Sequence, residues 1–395
     1  MATEAVIVDV IRTPSGRGKP GGALSDIHPA DLLAGVLAEL VHRIGLDPAL
    51  VDDVIGGCVT QAGEQAGNTA RTAVLSAGFP ESVPAVTIDR QCGSSQQAAA
   101  FAAQGVISGA YDIAIACGVE SMSRAPMGSN VGGASIGGAL LTRRYPDGLV
   151  NQGVAAELIA EQWGFERSEL DDFAARSHAL AAEAASSGAF DGELVAVPTP
   201  DSGSVTADET IRAATTAEAL ANLKPSFRTD ALASRFPQLD WRITPGNSSP
   251  LTDGASAALI MSAEAAARLG LRARARFHSF AVAGSDPLLM LTGVLPATRK
   301  VLDRSGLRLD EIDAYEVNEA FAPIPLLWQR EFDTEPAKLN PHGGAIALGH
   351  ALGSSGTRLL ATLLSELEAS GGRYGLQTMC EGGGTANATI IEVLR

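Results

Sequence analysis

Gly93-Ser-Ser-Gln-Gln-Ala-Ala-Ala-Phe-Ala-Ala-Gln-Gly-Val-Ile-Ser-Gly109 and Gly353-Ser-Ser-Gly-Thr-Arg-Leu-Leu-Ala-Thr-Leu-Leu-Ser-Glu-Leu-Glu-Ala-Ser370 open with the same three letters. Both read as helices, the first rich in alanine and buried. Each is followed by a short apolar run that meets a cysteine: Ala-Cys117-Gly after the first, Met-Cys380-Glu-Gly after the second. Upstream, Ile44-Gly-Leu-Asp-Pro-Ala-Leu-Val-Asp-Asp-Val54 matches Ser305-Gly-Leu-Arg-Leu-Asp-Glu-Ile-Asp-Ala-Tyr315 in order and character. The same succession met twice reads as an internal duplication.

Outward from these helices the chain alternates between strand and helix periods. Ala5 to Val10 reads as a buried strand. From Pro29, the residues Leu32, Leu33, Val36, Leu37, Leu40, Val41 and Ile44 recur three and four apart on one helical face. Pro29 suits a first helical turn and Gly45 a stop. Val51 to Thr60, Pro84 to Asp89 and Tyr111 to Gly118 read as strands. The second copy offers Ala273 to Val282, Ile312 to Val317 and Arg373 to Cys380 as strands, with Gly293 to Ser305 as a helix. This alternation predicts an α/β protein with a mixed or mostly parallel sheet covered by helices.

Residues 120–249 differ. Gly128 to Gly138 reads GSNVGGASIGG, and helical patterns follow near Gln152 to Trp163 and Ser168 to Gly188. Pro198, Pro200, Pro225, Pro237 and Pro245 interrupt the remainder. This is the pattern of an insertion lying over the sheet, a natural place for a lid. The expected division is residues 1–119, completed by 250–272, as an N-terminal half; 120–249 as an inserted loop domain; and 273–395 as a C-terminal half.

The 395 residues are 46% hydrophobic and 19% charged, so the chain buries a full core and is not intrinsically disordered. With 43 glycines and only 5% aromatics, small residues do much of the packing. A formal net charge of -16 argues against nucleic acid and against an anionic membrane surface as partners. It leaves room for an anionic small ligand held locally. The opening MATEAVIVDVIRTP carries Asp9 and Arg12 within its apolar stretch, which suits neither a secretory signal nor a membrane span. Cys58, Cys92, Cys117 and Cys380 are too few for a disulfide scaffold and show no CxxC spacing. The expected setting is a reducing compartment, the cytoplasm.

Cys92 sits in Asp89-Arg-Gln-Cys-Gly-Ser-Ser, at a junction from strand to helix. Backbone N–H groups at a helix start stabilise a thiolate and lower its pKa. They also stabilise a negative oxygen on a substrate that the sulfur attacks. The plain alternative is a small buried hydrophobe, the usual fate of a free cysteine. His350, one of six histidines, is embedded in glycine in His342-Gly-Gly-Ala-Ile-Ala-Leu-Gly-His350-Ala-Leu-Gly. A neutral imidazole there can take a thiol proton; a helix-cap or core histidine reads equally well. Cys380 precedes Glu-Gly-Gly-Gly, and a second thiol at a glycine turn points to a second proton transfer. Asn318, in Asn-Glu-Ala-Phe-Ala, reads by itself as a helix N-cap.

Taken in this order and spacing, the four blocks resemble the thiolase family of acyl-CoA C-acyltransferases and acetyl-CoA acetyltransferases. Ile11-Arg-Thr-Pro14, Gly56-Gly-Cys-Val-Thr-Gln61 and Pro245-Gly-Asn-Ser-Ser-Pro-Leu-Thr-Asp-Gly-Ala255 extend the resemblance from the first strand to the last. It implies a thiolase-like fold: a duplicated βαβαβαββ unit in five layers, α-β-α-β-α, with an inserted loop domain. It implies Cys92 as the acylated nucleophile, His350 as its activator, and Cys380 as the group exchanging the α-carbon proton. Asn318 would hold a water completing one oxyanion hole with His350, and the N–H groups of Cys92 and Gly382 would form the other. Coenzyme A or acyl-CoA would be a substrate, with no tightly bound cofactor and no metal. Arg212, Ser249, Ala320 and Phe321 would contact it, with Gln152 near the acyl group or pantetheine. The family is oligomeric, so a homodimer or homotetramer is expected.

The chain departs from the common pattern in four places. Ala351 stands where a proline usually follows the histidine, and CGSSQQ replaces CGSGLQ. The final block reads Cys-Glu-Gly-Gly-Gly-Thr-Ala-Asn, and Gln152-Gly153 stands in place of a common Met-Gly, with Asn151 at a preceding His. The competing readings are a decarboxylating condensing enzyme of the same fold, a non-catalytic acyl-CoA or lipid-binding relative, and a zinc site on Cys92, His350 and Cys380.

Overall fold

Two successions of elements share one connectivity in the computed structural model, which describes residues 3–395. The first has β1 (Ala5–Arg12), α1 (Pro29–Ile44), β2 (Asp53–Gly57), α2 (Thr69–Ser76), β3 (Ala85–Ile88), α3 (Ser94–Ser108) and β4 (Ile113–Ser121). The intervening segment carries α4 (Gln152–Trp163) and α5 (Arg167–Ser187), and β5 (Thr252–Ser262) follows it. The second has β6 (Ala275–Gly284), α6 (Val294–Ser305), β7 (Ala314–Val317), α7 (Pro323–Phe332), α8 (Ser355–Ser370), β8 (Tyr374–Glu381) and β9 (Thr385–Val393).

Hydrogen bonds order the strands β7-β8-β9-β6-β1-β5-β4-β2-β3. Within each copy the sequence runs second, fourth, fifth, first, and the fifth strand is antiparallel to both neighbours. The third strand of the second copy shrinks to a parallel bridge between Tyr315 and Leu339. The two half-sheets pair through Val6 with Arg276 and Ile7 with Ala275, on β1 and β6.

Side-chain size sorts the faces. β4 turns Ile113, Ile115, Cys117 and Val119 outward to a core shared with α1 and α2, and Ala114 and Ala116 inward. The inward face meets Ala98, Ala99, Ala102 and Ala103 of α3 and Leu360, Leu363 and Leu364 of α8. These two helices lie between the half-sheets. A β-carbon on Gly356 of α8 would fall 2.0 Å from the Gln96 backbone nitrogen, so only glycine allows this approach. On the far side, Val294, Ala297 and Val301 of α6 and Ile324, Leu327 and Trp328 of α7 cover Leu376 and Ile390. Ala155, Ala156 and Ile159 of α4 join that core, so the segment between β4 and β5 packs on the second copy. The result is the expected five-layer α-β-α-β-α stack, with Cys92 just before the N-terminus of one central helix and His350 just before that of the other. Among the described residues no helix is long and apolar enough to cross a membrane.

Candidate active site

β3 ends at Ile88 and α3 starts at Ser94, and the turn between them is tightly bound. Gln91 takes a φ of 49°, a left-handed conformation that costs a non-glycine residue about 1–2 kcal/mol. Asp89 Oδ1 accepts from the Gln91 N–H at 2.6 Å. Ser94 Oγ accepts from the Arg90 N–H at 2.9 Å and donates to the Gln91 carbonyl at 2.6 Å. The turn sets Cys92, 2% exposed, among Val59, Met122, Leu352, Leu359 and Met379. Burial there pushes its thiol up to about 12. That reverses the lowering expected from a helix start: Gln152 Nε2, 4.0 Å from Sγ, and the Cys92 N–H favour the thiolate, but desolvation outweighs them.

His350 follows a short helical turn at Ala345–Leu348 and is buried. Its backbone N–H donates to Thr252 Oγ1 at 2.9 Å. Asn318 Nδ2 lies 3.4 Å from Nε2, and Ser355 Oγ lies 2.6 Å from Nδ1. Ser355 Oγ donates to the Ala351 carbonyl at 2.8 Å, so it accepts from Nδ1–H. This chain of donors assigns the ring proton to Nδ1 and leaves the Nε2 lone pair facing Asn318. Burial, with the Arg358 charge, holds the imidazole down to about 3, so it is neutral at physiological pH. Asn318 is no N-cap: α7 begins at Pro323, and the Asn318 N–H extends the pairing of β7 with β8 through the Thr378 carbonyl at 3.1 Å.

Cys380, on β8, is fully buried and its thiol is raised by burial, by the nearby Cys92 and by Glu381. Its strand ends at the Gly382-Gly-Gly turn. Gly382 lines a cavity of about 700 Å³ together with His350, Gln91, Gln152, Ser249, Ala320 and Phe321, among others. Ser249 and Ala320 are tied by two hydrogen bonds, from Ser249 N at 3.0 Å and Ser249 Oγ at 3.1 Å to the Ala320 carbonyl. His350 and Gln152 of the cavity wall contact Asn318 at 3.4 Å and Cys92 at 4.0 Å, and Cys380 lies near enough to Cys92 for that group to raise its thiol. Arg212 lies apart. It lines a second cavity of about 370 Å³ with Arg17, Lys19, Glu209 and Thr210, which shares Pro250 and Leu251 with the first.

Several supporting residues escape a sequence reading. Glu120 is fully buried and accepts from the N–H groups of Val59, Thr60 and Gly353, each at 2.9 Å, and from Gln65 Nε2 at 3.0 Å. It thereby ties the loop beside Cys92 to the loop after His350. Glu319 accepts from Ser177 Oγ at 2.6 Å, Asn340 Nδ2 at 2.9 Å and the Ile346 N–H at 3.2 Å, fixing the approach to His350. The only signal for either is an acidic residue at the end of a strand. Among the described residues no three His, Cys, Asp or Glu side chains are grouped to hold a metal ion, so Cys92, His350 and Cys380 do not form the zinc set considered from the sequence.

Comparison with known proteins identifies the family. The family model for the thiolase N-terminal domain matches residues 5–264, and that for the thiolase C-terminal domain matches residues 271–393. A steroid 3-ketoacyl-CoA thiolase of Mycobacterium tuberculosis is 48% identical over 99% of this chain and 95% of its own length. A 3-ketoacyl-CoA thiolase of Bacillus subtilis is 39% identical over 99% of both chains. The crystal structure of the Bacillus anthracis acetyl-CoA acetyltransferase superposes with a TM-score of 0.88 at 38% identity, covering 100% of this chain and 99% of that one. The chain therefore belongs to the thiolase family and is an acyltransferase, catalysing CoA-dependent cleavage of 3-oxoacyl-CoA or the reverse condensation.

Proposed function

We propose that Cys92 is the nucleophile, with His350 as its base and Cys380 as the proton carrier for the α-carbon. In cleavage, His350 Nε2 takes the Cys92 proton and the sulfur attacks the 3-oxo carbon of the substrate. The bond between C2 and C3 breaks, and its electron pair goes to C2 of the leaving acetyl-CoA, which Cys380 protonates. The Cys380 thiolate then takes the proton of a free CoA thiol, the CoA sulfur attacks the acyl-Cys92 carbonyl, and the shortened acyl-CoA leaves as the Cys92 sulfur recovers its proton from His350. Asn318 and His350 stabilise the enolate oxygen, and the N–H groups of Cys92 and Gly382 stabilise the oxyanions at sulfur. The observation that carries the reading is the oriented imidazole: Nδ1–H is bound to Ser355, and the Nε2 lone pair is engaged only by a long contact of 3.4 Å from Asn318 Nδ2. Burial of both thiols and the ring also keeps water from the acyl-enzyme.

Coenzyme A lies along the two cavities in this reading. Ser249, Ala320, Phe321 and Gln152 contact the pantetheine and acyl portions, and Arg212 with Arg17 and Lys19 faces the nucleotide phosphates. The acyl group is bulky, with rings. Support comes from the size of the larger cavity, from its apolar wall of Met127, Ile136, Val150, Phe227 and Met290, and from the relative whose name specifies a steroid substrate. Residues 120–249 act as the lid over that wall. The four unpaired cysteines fit a cytoplasmic setting. The chain self-associates through the open edge at β3, where Val86 is 41% exposed. A panel of short, long and ring-bearing 3-oxoacyl-CoA substrates, assayed for CoA-dependent cleavage, tests the substrate: kcat/KM is highest for a ring-bearing compound. A preference for acetoacetyl-CoA would refute it.

A further inference from the structure

Between Cys380 and Gly382 stands Glu381, an acidic residue with no accessible surface. Its Oε2 accepts from Thr385 Oγ1 at 2.6 Å, and its Oε1 is buried without a partner. Oε1 packs on the Cys92 turn: a β-carbon on Gly93 would lie 2.1 Å from it and 2.7 Å from Asn387 Nδ2. Asn387 in turn donates to the Gly93 carbonyl at 3.1 Å, while its own Oδ1 is also unpaired. A carboxyl group is therefore wedged between the start of α3 and the β8–β9 turn, beside both thiols.

We propose that Glu381 is a positioning residue for acyl transfer, whose carboxyl group, packed against the Cys92 turn, restrains thiolate formation at Cys92 through its negative charge. The idea rests on Cys92 being the nucleophile. The charged and titratable groups facing Glu381 are Arg90, Asp89 and Cys92 from the turn before α3, and Cys380 on its own strand; β9 contributes only Thr385 and Asn387. Burial raises the carboxyl to about 7, with Arg90 and Thr385 pulling the other way, so its charge changes across the physiological range. That charge raises Cys92 and Cys380, whereas burial and Arg358 govern His350. Glu381 thus bears on the sulfur end of the proton transfer, and deprotonation makes the thiolate harder to form.

The test is the rate of Cys92 alkylation by iodoacetamide, read on the Cys92 peptide by mass spectrometry, for wild type and Glu381→Gln. The variant reacts at a similar rate near pH ~6 and at least about threefold faster near pH ~8.5, because only the wild type acquires the charge. A ratio that is flat with pH overturns the proposal, leaving Glu381 a packing residue. Should Glu381→Gln not fold, Thr385→Val serves: losing the bond that favours the carboxylate moves the wild-type inflection to higher pH, and an unmoved inflection overturns it. No acyl-CoA enters either measurement. A protein that cleaves no 3-oxoacyl-CoA but keeps the rising ratio would retain the role of Glu381 and lose the proposed function, and the converse result would do the reverse.

Discussion

At neutral pH the resting site holds a thiol and a neutral imidazole. Burial pushes Cys92 up to about 12 and His350 down to about 3. Moving the proton from sulfur to ring therefore costs about 12 kcal/mol before the new charges attract. Even a contact ion pair, taken at ~4 Å and an effective dielectric of about 20, regains only about 4 kcal/mol. The remaining ~8 kcal/mol holds the thiolate–imidazolium form to about one part in a million. In the proposed mechanism the thiolate therefore forms only with substrate in place, as its oxygen takes up charge beside the N–H groups. Thiolate absorbance in the ultraviolet, compared between wild type and Cys92→Ala, reads this directly. The two spectra coincide at neutral pH, and Cys92 alkylation keeps accelerating into the alkaline range. A thiolate band at neutral pH that disappears in Cys92→Ala would refute the reasoning.

Cys380→Ser retains acyl transfer from a simple acyl-CoA to Cys92 but loses most exchange of the acetyl-CoA α-hydrogen with deuterated water; exchange at the wild-type rate would make Cys380 a packing residue. Asn318→Ala lowers the same exchange by a smaller factor, because it acts through a water; a loss as deep as that of Cys380→Ser contradicts this. Lys19→Ala combined with Arg212→Ala raises KM for CoA severalfold with little change in kcat, and leaves substrates lacking the nucleotide unaffected; equal effects on both substrates would remove the phosphates from that cavity. Gly356→Ala drives a β-carbon into the Gln96 backbone and costs about 3 kcal/mol or more of stability, measured by thermal denaturation; an unchanged Tm contradicts the close approach of α3 and α8.

Much of the fold is legible because the duplication writes it twice. The periods of α1, α4 and α6 mark their faces, and glycine follows each helix at Gly45, Gly164 and Gly306 with positive φ. β5 and β9 are harder to read. β5 is buried on both faces between β1 and β4, so it has no alternation, and Asp253 and Ser256 interrupt its apolar run. Bulges at Ile7/Asp9 in β1 and at Ile390/Ile391 in β9 further break the two-residue period. At the site, the four chemical side chains are visible as blocks of sequence. What surrounds them is not: Glu120, Ser355 and Glu319 reach their partners across separations of 142, 61 or 60 residues, or sit on a helix face, where local pattern carries no signal. The reversal at Cys92 has the same origin, since a helix start is local and burial is not.

Acylation of Cys92 tests the central claim most directly. Wild-type protein is incubated with a 3-oxoacyl-CoA in the absence of free CoA, digested, and read by mass spectrometry, with Cys92→Ser as the control. The expected result is one acyl group on the Cys92 peptide of the wild type, released by added CoA as acyl-CoA, and none on the folded variant. An acyl group on Cys58, Cys117 or Cys380, or turnover that persists in Cys92→Ser at the wild-type rate, would contradict it.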